Sequence, residues 1–70
     1  MDTNTLAVLV YQYAKRDVFN WKGRIIVSDF VKAINQPNLK AEDIINAFKA
    51  VYPQYQIEQR TENVILISFK

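Results

Sequence analysis

The side chains behind most enzyme chemistry are missing from this sequence. Its 70 residues include no Cys and no His, so it has no thiol nucleophile, no imidazole base and no zinc site built from either residue. Seven carboxylates remain, and they are spread along the chain. Glu42 and Asp43 are neighbours on one helical stretch and point in different directions. Glu58 and Glu62 come with no base that would complete an acid–base pair. No catalytic residue, metal, cofactor or small-molecule substrate is expected. The cations say more. Nine Lys and Arg against seven Asp and Glu leave a net charge of +2 and a pI near 9.0, a balance that permits a nucleic-acid partner without demanding one.

The rest of the composition bounds the scaffold. Half of the residues are hydrophobic and 23% are charged, an ordinary globular mix. The length suits one domain spanning 1–70. Without disulfides, packing must hold the fold, with a partner subunit as a possible aid. The lack of Cys agrees with a reducing cytoplasm, the expected location. The apolar run Leu6 to Tyr11 is far short of a membrane span and no basic segment precedes it, so neither a membrane anchor nor a signal peptide is expected.

Periodicity divides the chain. Asp2 to Asp17 reads as a helix, with Thr3 or Thr5 as its cap and Leu6, Leu9, Val10, Tyr13 and Ala14 on one face. Val8 and Tyr11 fall on the other side, either as ordinary surface apolar residues or as a second contact surface for a partner or a dimer. Val18 to Gly23 reads as a connector, with Gly23 expected to supply an unusual backbone angle and Trp21 to fill a gap beside a small core. Arg24 to Val27 is a short β-branched strand. Ser28 caps a short helix over Asp29 to Ile34, which Asn35 closes in a left-handed conformation before Pro37. A third helix over Leu39 to Tyr52 is capped by Asn38, presents a broad apolar arc and stops at Pro53. The tail, Tyr55 to Lys70, has strand chemistry on both sides of a Thr61-Glu62-Asn63 turn.

This order of elements resembles the winged helix-turn-helix superfamily. The likeness is carried by Gly23-Arg24-Ile25-Ile26-Val27-Ser28-Asp29-Phe30-Val31-Lys32-Ala33-Ile34, where Ile26, the Phe30-Val31 pair and Ile34 match the family's apolar spacing. It continues through Ile44, Ala47 or Phe48, and Val51 to Tyr55 and Ile57 at the first wing strand. The fold class it implies is α+β: three helices, a C-terminal β-hairpin and a short strand before the second helix. It departs from the family in a Pro-containing turn at Asn35 to Asn38 and in a short wing tip whose only cation is Arg60.

The function this resemblance implies is double-stranded DNA binding by a small accessory or transcriptional regulator. The third helix would enter the major groove. Asn46 would read an adenine edge, and Lys40 and Lys49 would reach phosphates or guanine. Ser28 and the N–H groups at the start of the second helix would hold a phosphate. Arg60 would approach the minor groove or the backbone, and Lys22, Arg24 and Lys32 would widen the basic footprint. The alternative is a winged helix that docks another protein or its own copy. It is favoured by the weak charge, by the acidic start of the third helix, and by Val8, Tyr11, Ile45, Tyr52 and Leu66. Helix 1 or the last strand would then form the seam.

Overall fold

The computed structural model describes all of residues 1–70. Helix α1 runs over Thr3–Lys15. Its cap is Asp2, ahead of the expected Thr3 or Thr5. The Asp2 carboxylate accepts the Thr5 N–H at 2.7 Å, and that bond holds its pKa below the ordinary value. The buried face of α1 contains Leu6, Ala7, Val10 and Ala14, with Tyr13 and Tyr11 half-buried at its flanks.

The expected connector is structured. Val18–Phe19 (β1) pairs antiparallel with Lys22–Ile26 (β2), through a two-residue turn at Asn20 and Trp21. Both turn residues have positive φ, 56° and 68°, as the tight twist-matched hairpin turn requires. The unusual backbone angle therefore belongs to these two residues and not to Gly23. Gly23 is needed for space: a Cβ there would lie 2.6 Å from the Ala14 carbonyl oxygen and 2.8 Å from the Phe69 ring. Its lack of a side chain lets β2 lie directly against α1.

Val27 was expected to end the strand but begins helix α2, Val27–Ala33, with no loop between. Asn35 closes α2 at φ 59°. The Gln36 N–H reaches the Val31 carbonyl, and the Asn35 N–H reaches that of Lys32, the paired bonds of a left-handed helix stop. Helix α3 covers Ala41–Val51, starting two residues later than its apolar pattern suggested. Asp43, not Asn38, provides the cap, accepting the Lys40 N–H at 2.9 Å. Strands β3, Gln56–Thr61, and β4, Val64–Ser68, form the terminal hairpin.

The protein is thus α+β, with three helices and a four-stranded antiparallel sheet in the order β1-β2-β4-β3. One face of the sheet turns Ile25, Ile65 and Ile67 into the interior, where they meet Phe30, Ile44 and Phe48, all fully buried. Truncating a buried Phe of this kind to Ala costs about 3–5 kcal/mol. Helix α3 lies chiefly along α1 and β3, while α2 rests on β2. No helix is long and apolar enough to cross a membrane.

Candidate functional site

The residues singled out from the sequence fall into three groups. The first surrounds the outer face of the sheet, away from the helices. In the strand register, Phe19, Lys22, Ser68 and Gln56 form one cross-sheet row, and Arg24, Leu66 and Glu58 form the next. Directly paired residues share a face because side chains alternate along a strand. Lys49, at the end of α3, reaches the same depression as Lys22, beside Tyr55 and Gln56. The structure therefore brings Lys22 and Lys49 to one depression, which Glu58 also lines, and places Arg24 in the row next to Lys22. Arg24 also pairs with Asp17 at 3.7 Å, with both side chains mostly exposed.

The second group lies where the β3–β4 turn meets the start of α2. Ser28 does not cap its helix, and its N–H is not free for a phosphate. That N–H donates to Asn63 Oδ1 at 2.9 Å, and Asn63 Nδ2 donates to Ser28 Oγ at 3.1 Å. The Val27 N–H donates to the Asn63 carbonyl at 2.8 Å. Asn63 is thus a cap supplied from 35 residues away in sequence, and the anion site expected at Ser28 is filled by the protein itself. Arg60 is the extra residue of a β-bulge between Gln59 and Thr61. Its guanidinium lies 3.4 Å from Glu58.

The third group follows α3 and its approach. Lys40, Asn46 and Lys49 are exposed, and so are Glu42 and Asp43, so two cations and two carboxylates cancel along this face. Asn46 does not stand alone over solvent. It lines a depression between the starts of α1 and α3, with Met1, Thr3 and Asp43. Lys32 is exposed in the last turn of α2, where its charge favours the helix end.

Of the two residues expected to form a partner surface, only Val8 is exposed, at 39%. Tyr11 is packed inward. Its ring stacks on Tyr52 at 5.0 Å and meets Phe69 edge-on at 5.4 Å. The buried arc of α1 is wider than a single stripe: Tyr11 on one flank meets both Tyr52 and Phe69, and Tyr13 on the other meets Phe30 edge-on at 5.2 Å. Lys15 places its ammonium 4.6 Å from the Phe69 ring centre, a cation–π contact over the same cluster.

Sequence reasoning missed the β1–β2 tip. Phe19 is 83% exposed and Trp21 58%, so Trp21 fills no gap in the core. The available signal was Asn20, a residue that tolerates positive φ, placed between two short β-prone runs. No protein-family model matches the chain, and neither do any curated protein or solved structure.

Proposed function

We propose that the protein is a winged-helix DNA-binding protein, without catalytic activity, that acts as an accessory or transcriptional regulator. The observation that carries this reading is the strand order. The short strand β2, which leads directly into α2, lies next to β4 of the terminal hairpin. This is how a winged helix ties its first strand to its wing, leaving the last helix on the outside. In this reading Lys49 on α3 and Lys40 at its N-cap contact phosphates, with Lys22 and Arg24 extending the footprint and Arg60 approaching from the bulged wing. Asn46 is the one base-reading candidate on α3.

The test is binding to mixed-sequence duplex DNA over a range of salt concentrations. If all five of these cations reach phosphates, log K falls against log salt with a slope of roughly −4 to −5. Charge reversal at Lys49 and Arg60 is expected to weaken binding, and absence of binding at low salt would reject the proposal. A specific observation favours a second reading, docking to a protein. The outward face of α3 together with Lys40 at its N-cap carries no net charge, and the start of α2 is already capped by Asn63. On that reading duplex DNA has no effect and sedimentation reveals a complex or a dimer.

A further inference from the structure

The charge of this protein is unevenly placed. Residues 15–24 carry four cations (Lys15, Arg16, Lys22 and Arg24) and one carboxylate, Asp17, a surplus of three; the other sixty residues carry five cations and six carboxylates. The whole positive surplus thus belongs to the end of α1 and the β1–β2 hairpin. This segment also bears the two most exposed aromatic rings, Phe19 and Trp21. Phe19 is paired with Lys22, so ring and ammonium share the outer face of the sheet, and Arg24 follows two residues along on that face.

The backbone adds an independent observation. Trp21 occupies the second turn position at φ 68°, where glycine is the usual residue because a Cβ is disfavoured there. The main chain is held in place, since the Trp21 carbonyl accepts the Phe69 N–H at 2.8 Å. A bulky indole is therefore kept in a strained, anchored and solvent-facing position, as expected for a side chain retained for contact and not for packing.

We propose that the β1–β2 tip is a second nucleic-acid site, which takes unpaired bases by stacking on Phe19 and Trp21 while Lys22 and Arg24 hold the adjoining phosphates. A ring and cations on one sheet face, with a second exposed ring at the adjoining turn, are elements of single-strand recognition. A lipid surface would call for a broader apolar area than two rings. The site does not depend on α3 docking to duplex.

Trp21 is the only tryptophan, so its emission reports on the tip directly. The full chain is titrated with an oligothymidylate of about 12 nucleotides. The same series is run with a duplex, with phosphatidylserine–phosphatidylcholine vesicles, and with increasing protein alone. Quenching by the oligonucleotide that weakens as salt rises is expected. By anisotropy of a labelled oligonucleotide, Phe19→Ala is expected to lower affinity about 5- to 150-fold, the loss of one stacked base. Trp21→Gly is expected to lose binding while raising the Tm by a few degrees as the strain is relieved. Asn46→Ala, in a separate depression between the starts of α1 and α3, is expected to leave oligothymidylate binding within about twofold, which separates this site from the base-reading position of α3. Four results would overturn the proposal: no quenching at low salt, unchanged affinity in Phe19→Ala, a lower Tm in Trp21→Gly, or an emission shift produced only by vesicles or by self-association.

Discussion

The two hairpins of this protein are both short and antiparallel, yet their tips are used in opposite ways. The β3–β4 tip is polar and tied down: Asn63 spends its amide group, carbonyl included, on the first residues of α2, and the bulge at Arg60 is offset by pairing with Glu58. The β1–β2 tip is anchored by the backbone bond from the Phe69 N–H to the Trp21 carbonyl. It puts Phe19 and Trp21 into solvent and tolerates a tryptophan where glycine would sit more easily. At the β3–β4 tip the groups of Asn63 are consumed by the fold itself, which leaves Arg60 as the one proposed contact there. A tip that holds exposed rings at a conformational cost has groups left over for a partner. The contrast shifts attention from the β3–β4 hairpin toward the smaller hairpin beside it.

The largest effect that would break the comparison is loss of the seat beneath β2. Gly23→Ala would drive a methyl into the Ala14 carbonyl and the Phe69 ring. Overpacking of this kind costs about 1–3 kcal/mol, which thermal unfolding would read as a drop of roughly 4–8 °C for each kcal/mol in a chain of this size. An unchanged Tm would mean that β2 does not need its close approach to α1, and that the β1–β2 tip is less firmly placed than its register implies. Next in size is the tie at the other tip. Asn63→Ala removes both side-chain bonds to Ser28 and should cost about 1 kcal/mol. Asn63→Asp keeps the acceptor for the Ser28 N–H and should recover part of that. If Asn63→Ala leaves stability untouched, the β3–β4 tip is not tied down by its cap and the distinction between the hairpins weakens.

These residues also show where the sequence was legible. Three helices and the terminal hairpin followed from apolar spacing, and the Asn35 stop from the chemistry of asparagine. The α2 cap was not legible, because its donor and acceptor are 35 residues apart and no local pattern links a turn asparagine to a distant helix start. Ser28 looked like the cap because a serine at a helix start usually is one. The β1–β2 hairpin was obscured by its brevity, since β1 has only two residues. Gly23 was noticed for the wrong property: its need for space arises from α1 and Phe69, which only the tertiary structure brings to it. Among the candidate contact residues, composition pointed to cations in general. It could not show that Lys22 and Lys49 share one depression while Asn46 faces another.

The smallest effect on stability gives the sharpest comparison, because each hairpin holds one exposed ion pair. Arg24 meets Asp17 at 3.7 Å, and Arg60 meets Glu58 at 3.4 Å, all four side chains being mostly exposed. Pairs of this kind contribute under about 0.5 kcal/mol, so Arg24→Gln and Arg60→Gln should each leave the Tm nearly unchanged. Their effects on nucleic-acid binding should separate. Arg24 lies on the face that carries Phe19 and Lys22, so its loss should weaken oligothymidylate binding and lower the salt slope by about 0.7, the contribution of one phosphate on a single strand. Arg60 belongs to the other tip and should leave oligothymidylate binding unaltered while reducing the slope for duplex by about 0.9. Equal losses on both ligands from both variants would mean that the two tips serve one continuous surface. The division between a hairpin that serves duplex and one that serves single strands would then have to be given up.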